Sequence, residues 1–123
     1  MPAQAQQILE EAAKEIDGLI GMSVTGMDGI PIAITSTTDV PLDVQESIGV
    51  KFALVMSLVR KSLSEVGMPA LEENLIEHKG GWMLSRFIGE SNFYLGMAVT
   101  KNSVLGNVRM VAKKTADKLV SVL

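Results

Sequence analysis

Cysteine is absent and histidine occurs once, at position 78. The first absence removes disulfides, thiolate zinc sites and cysteine nucleophiles. The second removes a histidine-based triad and any multi-histidine metal site. Aromatic residues are few, with one tryptophan, one tyrosine and three phenylalanines. Trp82 and Tyr94 fall on neighbouring predicted strands and form no basic, aromatic-interleaved platform for single-stranded nucleic acid. No phosphate-binding Gly-x-x-x-x-Gly-Lys-Ser/Thr occurs, and the glycines at 18, 21, 26 and 29 match no phosphate cradle, so they read as turn and close-packing positions. No apolar run nears the roughly 20 residues of a membrane span. The opening MPAQAQQILEEAAKEI has neither the basic region nor the apolar core of a signal peptide. We therefore expect a cytoplasmic protein without membrane insertion.

What is present is a compact, apolar-rich chain of 123 residues, 47% hydrophobic and 20% charged, with a net charge of -3. That length supports one domain, 1–123, able to bury a core without staples. The mild acidity argues against nucleic acid or an anionic membrane as the main partner. The eight methionines read as core filling.

The chain is organised around residues 43–67, DVQESIGVKFALVMSLVRKSLSEVG. With no proline, Asp43 as the N-cap and a closing glycine, this stretch predicts one long helix. At about 100° per residue, Val44, Ile48, Phe52, Val55, Met56, Val59, Leu63 and Val66 share one broad face. Val50, Leu54 and Leu58 lie beyond it, on a flank that also carries Ser47, Lys51 and Glu65. The polar remainder is narrow: Glu46, Ala53, Ser57, Arg60, Lys61 and Ser64. A helix apolar over more than half its circumference needs a sheet on one side and a second partner, another copy of itself, on the other.

Around it the pattern reads helix, two strands, helix, three strands, helix. The first helix ends near Asp17, with Ile8, Leu9, Ala12 and Ile16 on one side. Leu19 to Gly26 alternates as a strand, with Leu19, Gly21, Ser23 and Thr25 opposing Ile20, Met22 and Val24. Met27-Asp28-Gly29 supplies a hairpin turn, and Pro31 in the return strand, 30–35, marks a sheet edge. Residues 71–79 form a weak strand, and another edge, with Leu71, Glu73, Leu75 and Glu77 on one side. Strands at 82–88 and 93–100 and a helix from Val104 to Leu123 follow, that helix with Val104, Leu105, Val108, Val111, Ala112, Ala116, Leu119 and Val122 on its apolar face. Hairpin-joined strands separated by a helix imply an α+β layered domain with one antiparallel sheet.

The catalytic inventory is thin. His78 lies on the weakest strand, and Glu72, Glu73 and Glu77 read as a solvated sheet edge, since 72 and 73 point to opposite faces. Asp17, Asp28, Asp39 and Asp43 sit beside turns or helix starts, where carboxylates cap. Lys113, Lys114 and Lys118 read as a solvated helix face. The chain is expected to be non-enzymatic, with no cofactor and no metal.

Over essentially its full length the chain resembles the Roadblock/LC7 family. The matching pieces are GLIGMSVTGMDGIPIA at the first hairpin, the long middle helix, WMLSRFIGESNFYLGMAV as paired strands, and NSVLGNVRMVAKKTADKLVSVL as the closing helix. Asp28-Gly29-Ile30-Pro31 and Leu105-Gly106-Asn107-Val108-Arg109 are its strongest segments. The resemblance implies a five-stranded antiparallel sheet with one long helix on one face and two terminal helices on the other, as in profilin-like layered folds. It also implies a homodimer, or a heterodimer with another Roadblock-like chain, through antiparallel middle helices and joined third strands. The expected interface is Val50, Leu54, Leu58, Leu71 and Leu75. Members of the family are platforms for Ras-like small GTPases, some accelerating GTP hydrolysis, or scaffold subunits such as dynein light chains. By that resemblance Glu46, Ala53, Ser57, Arg60, Lys61 and Ser64 form the expected GTPase contact, with Arg60 read as a solvated helix arginine rather than an arginine finger. We expect no extra C-terminal helix of the kind some activating members carry, an expectation that favours binding over activation. The alternative is a structural adaptor indifferent to nucleotide state. A third reading, a small-ligand sensor, requires a pocket in the sheet lined by converging polar groups.

Overall fold

The computed structural model describes residues 2–123, with Pro2 described by its backbone alone. Helix α1 spans Pro2–Ala13. It stops four residues short of Asp17 because the backbone tightens there: Lys14, Glu15 and Ile16 each donate to the carbonyl three residues back. Strands β1 (Leu19–Gly26) and β2 (Pro31–Ser36) form the first hairpin. Its turn closes through Gly29 N–H to Gly26 O, 2.8 Å, and Ile30 N–H to Asp28 Oδ1, 3.0 Å. Gly29 takes a φ of 89°, the left-handed conformation this turn requires.

Helix α2 spans Leu42–Glu65. Its N-cap is Pro41 rather than Asp43, which lies in the first turn, where its charge favours the helix dipole. At the other end Met68 N–H reaches Leu63 O and Gly67 N–H reaches Ser64 O, with Gly67 at φ 75°. This is a Schellman closure, and it explains why the helix ends at that glycine. Strands β3 (Glu73–His78), β4 (Gly81–Phe87) and β5 (Phe93–Thr100) follow, then α3 (Leu105–Leu119) and a 3-10 turn at Val120–Val122.

All strands are antiparallel, in the order β2-β1-β5-β4-β3. The two strands expected at edges, β2 and β3, are the edges. One face of the sheet carries large side chains, with Met22, Met97 and Leu84 in one cross-strand row and Val24 and Leu95 in the next. These pack with Leu9, Ala12, Val108, Val111, Ala112 and Leu119 into the main core beneath α1 and α3. Helix α2 covers the opposite face around a smaller cluster of Ala53, Met56 and Tyr94. The architecture is thus the expected one, a long helix on one face and two terminal helices on the other.

Two strand details depart from simple alternation. A register shift between Leu19 and Gly21 in the β1–β5 pairing turns Leu19 onto the same face as Met22 and Val24, into the main core, not beside Gly21, Ser23 and Thr25. A bulge does this because one extra residue inverts the side-chain phase. In α3 the expected buried residues 108, 111, 112, 116 and 119 are buried, but Val104 caps the helix and is 71% exposed.

Candidate interaction surface on the long helix

The position of α2 is set by two glycines. A Cβ on Gly49 would overlap the carbonyl oxygen of Gly29 and lie 3.2 Å from Thr25 Cγ2, and a Cβ on Gly29 would lie 2.7 Å from Val50 Cα. The absence of both side chains lets the helix backbone rest on the first hairpin. Tyr94 locks the contact by donating its hydroxyl to Gly49 O at 2.9 Å. Burial pushes the Tyr94 phenol up to about 12, while a hydrogen bond with Thr25 acts in the opposite direction. Toward the C-terminal half, the Arg60 guanidinium stacks over the Phe87 ring, 4.8 Å from its centroid.

Gly49, Ala53 and Met56 are therefore the buried positions of α2. This overturns one expectation directly: Ala53, assigned to the exposed polar strip, is 3% exposed and lies in the cluster with Met56 and Tyr94. The rotation has a physical cause, since small residues at i and i+4 allow the closest backbone approach and the helix turns them inward. It also undoes part of the broad apolar face, because three of its eight residues, Val44, Ile48 and Val66, are exposed. The pair Gly49 and Ala53 was the available signal.

Leu54 and Leu58 now point away from the sheet and are each 66% exposed. Ser47, Lys51, Lys61, Ser62 and Glu65 share that outward face at 100° per residue and are exposed. Val50, 45% exposed, borders it. Of the remaining expected GTPase contacts, Lys61 belongs to the outward face. Glu46 and Ser64 are exposed on the flank, Ser57 is half-buried there, and Arg60 is exposed but held over Phe87. The expected strip is thus split: Ala53 lies against the sheet while the others line the flank or the outward face, and that outward face is mixed leucine and charge.

The expected interface residues on the third strand also separate. Leu75 pairs with Leu84 on the terminal-helix side, whereas Leu71 precedes β3 and is half-buried against the α2 cluster. They do not share a side, because the alternation begins only at Glu73, where the strand does. Glu73 is no solvated carboxylate: its side chain is 9% exposed and accepts from Arg86 Nη1 at 3.2 Å and Arg109 Nε at 2.7 Å. Glu77 pairs with Lys101 at 2.6 Å, and that hydrogen bond holds its carboxyl below the usual range. His78 is exposed and its Nδ1 accepts from Gly80 N–H at 3.1 Å, a turn contact. No cluster of three or more His, Asp or Glu residues able to hold a metal occurs among the described residues. No helix among them is long and apolar enough to cross a membrane.

No family model matches the chain. An uncharacterized protein of Methanocaldococcus jannaschii, MJ0714, is 31% identical over 104 residues, covering 84% of this chain and 83% of its own. Among solved structures, the chain is similar to a Roadblock/LC7 domain from Streptomyces avermitilis, with a TM-score of 0.83 at 10% identity over 93% of this chain and 92% of that one. It is also similar to MglB of Myxococcus xanthus, with a TM-score of 0.88 at 16% identity over 98% and 88%.

Proposed function

We propose that this chain, which belongs to one family with the Methanocaldococcus jannaschii protein and has the Roadblock/LC7 fold, is a non-enzymatic homodimeric platform for a Ras-like small GTPase. The observation that carries the reading is the outward face of α2. Leu54 and Leu58 stand in water at 66% exposure each, one turn apart, with Lys51, Lys61 and Glu65 around them. Apolar anchors ringed by charge are the composition of a protein interface. In the proposed dimer the two α2 helices pack antiparallel along this face, and the open edge of β3 pairs with its copy. Glu46, Lys51, Lys61 and Ser64, exposed beside that seam, supply the polar groups that a GTPase meets. We place the protein in the cytoplasm, where such a partner resides.

Sedimentation of the wild type and of Leu58→Glu tests the seam. A dimer that becomes a folded monomer in the variant is the expected result, since the substitution puts two charges into the contact. A wild type that stays monomeric at high micromolar concentration overturns the dimer. Co-elution with Ras-like GTPases of the source organism, loaded with GDP or a non-hydrolysable GTP analogue, tests the partner. Binding to the GTP form alone is expected; equal binding to both forms, or to neither, favours a structural adaptor.

A further inference from the structure

The two faces of the sheet differ in a way that the fold does not require. Toward α1 and α3 the central strands present methionine, leucine and valine. Toward α2 the same strands present a cross-strand row of Ile34, Ser23, Gly96 and Ser85, with Gly21 and Ala98 in the next row. Glycine in a central strand weakens it and leaves room for something to approach. Helix α2 cannot sink into that room, because its backbone already rests on Gly29 at Gly49. The result is a cleft of about 170 Å³ between the sheet and the helix, partly open to solvent, with Ile48 and Phe52 on its helix side.

Native interiors hold few voids larger than a water molecule, and a cavity of about 150 Å³ with apolar walls takes up benzene rather than water. The lining contains no Asp, Glu, Lys, Arg or His, so phosphates, carboxylates and amines have no counter-charge and would lose their hydration uncompensated. Thr35 Oγ1 and Gln45 Oε1 line the space without partners on half-buried residues, and one buried residue also offers it an unpartnered group. Ser85 is 4% exposed and its hydroxyl has no hydrogen-bond partner among the described residues. Among those residues every side-chain oxygen and nitrogen sealed from solvent has a partner, so Ser85 Oγ is unsealed and faces the cleft that it lines. The neighbouring hydroxyls of Ser23 and Thr25 are 3.0 Å apart and bonded to each other.

We propose that this cleft is a binding site for a small, neutral, largely apolar molecule, about the size of a substituted benzene ring, that carries one hydroxyl or carbonyl group for Ser85. The proposal does not depend on the dimer or on the GTPase.

Benzyl alcohol and toluene are the probes, titrated to about 10 mM, the weak-binding range in which such small ligands register. Amide shifts in ¹⁵N NMR spectra provide the readout. Saturable shifts centred on Gly96, Ser85, Ser23 and Gly49 are expected with the wild type. Gly96→Val should abolish them, because a Cβ there makes only ordinary contacts, with Ser23 Oγ at 3.4 Å and Tyr94 Cε2 at 3.5 Å, and the two further methyls fill space that Gly96 lines. If that variant does not fold, Gly96→Ala should still weaken both probes. Ser85→Ala should weaken benzyl alcohol about fivefold, the scale of one net hydrogen bond, and leave toluene unchanged. Absence of saturable shifts with either probe overturns the proposal. So does undiminished binding in a folded Gly96 variant, and equal weakening of both probes by Ser85→Ala overturns the role of that hydroxyl.

Discussion

Gly49→Ala tests the mechanism that positions α2. Helix propensity alone predicts a gain of about 1 kcal/mol, because alanine replaces glycine in a helix interior. The structure predicts the opposite sign. The new methyl would overlap Gly29 O and press on Thr25 Cγ2 at 3.2 Å. Its nearest neighbour is the Gly29 carbonyl, backbone that cannot rotate away. Overpacking of this kind costs about 1–3 kcal/mol. Lifting the helix to relieve it stretches the 2.9 Å bond from Tyr94 to Gly49 O, a further loss of about 1 kcal/mol. With the propensity gain subtracted, the net loss is about 2 kcal/mol, or about 8 °C in Tm for a domain of this size. Urea and thermal unfolding measure it, with Gly106→Ala as the control. That glycine is also helical, but a Cβ there meets nothing within 4 Å, so its substitution should leave stability unchanged or raise it slightly. If Gly49→Ala is stabilised as the control is, α2 is not held by backbone contact at that residue.

Tyr94→Phe should cost about 1–2 kcal/mol at neutral pH by leaving Gly49 O without its donor. It should also change the alkaline limb of stability. The phenol, raised by burial to about 12, stays neutral in the native state while the unfolded chain ionises above about pH 10. Its contribution is therefore fully present below pH 10 and is lost between pH 10 and 12, at up to about 1.4 kcal/mol per pH unit. The difference between wild-type and Tyr94→Phe urea midpoints should shrink across that window; a constant difference refutes the assignment. Glu73→Ala should destabilise by about 2–3 kcal/mol, since it leaves Arg86, with a side chain 16% exposed, without its nearest carboxylate. Arg109→Ala, at the solvent end of the same cluster with 58% exposure, should cost less than about 1 kcal/mol. Equal losses from the two would show that the Arg86 end of the cluster is no more buried than the Arg109 end.

The sequence disclosed the elements well because their boundaries are chemical. Asp28-Gly29, Gly67 and Gly89 each take a positive φ or close a turn in the structure, and such residues announce themselves. Apart from the end of α1 and the N-cap of α2, the differences concern which way a side chain points. Alternation puts Leu19 beside Gly21, and a bulge that leaves no compositional mark moves it to the other face. Leu71 fits the alternation of a strand that begins only two residues later, at Glu73. Alanine carries no strong preference, so Ala53 reads as part of the polar strip, whereas its spacing from Gly49 makes it the contact face. A hydrophobicity wheel weighs residues by transfer energy, but the closeness of a helix to a sheet is decided by volume.

If two copies pair along α2 as proposed, Leu58 behaves unlike an ordinary exposed leucine. In a two-fold dimer every substitution acts twice. Covering the exposed two-thirds of a leucine is worth about 1–2 kcal/mol. Truncating Leu58 to alanine therefore removes about 3 kcal/mol from the proposed association, roughly a hundredfold in Kd at 1.4 kcal/mol per decade. The fold of each protomer should be untouched, because Leu58 lies outside both core clusters. Val104, 71% exposed at the start of α3, is the matched control: Val104→Ala removes a similar apolar surface from the opposite side of the sheet and should leave Kd unchanged. Sedimentation equilibrium on the two variants decides between a localised seam and diffuse stickiness. Equal weakening by both, or by neither, would mean that the copies do not meet along α2.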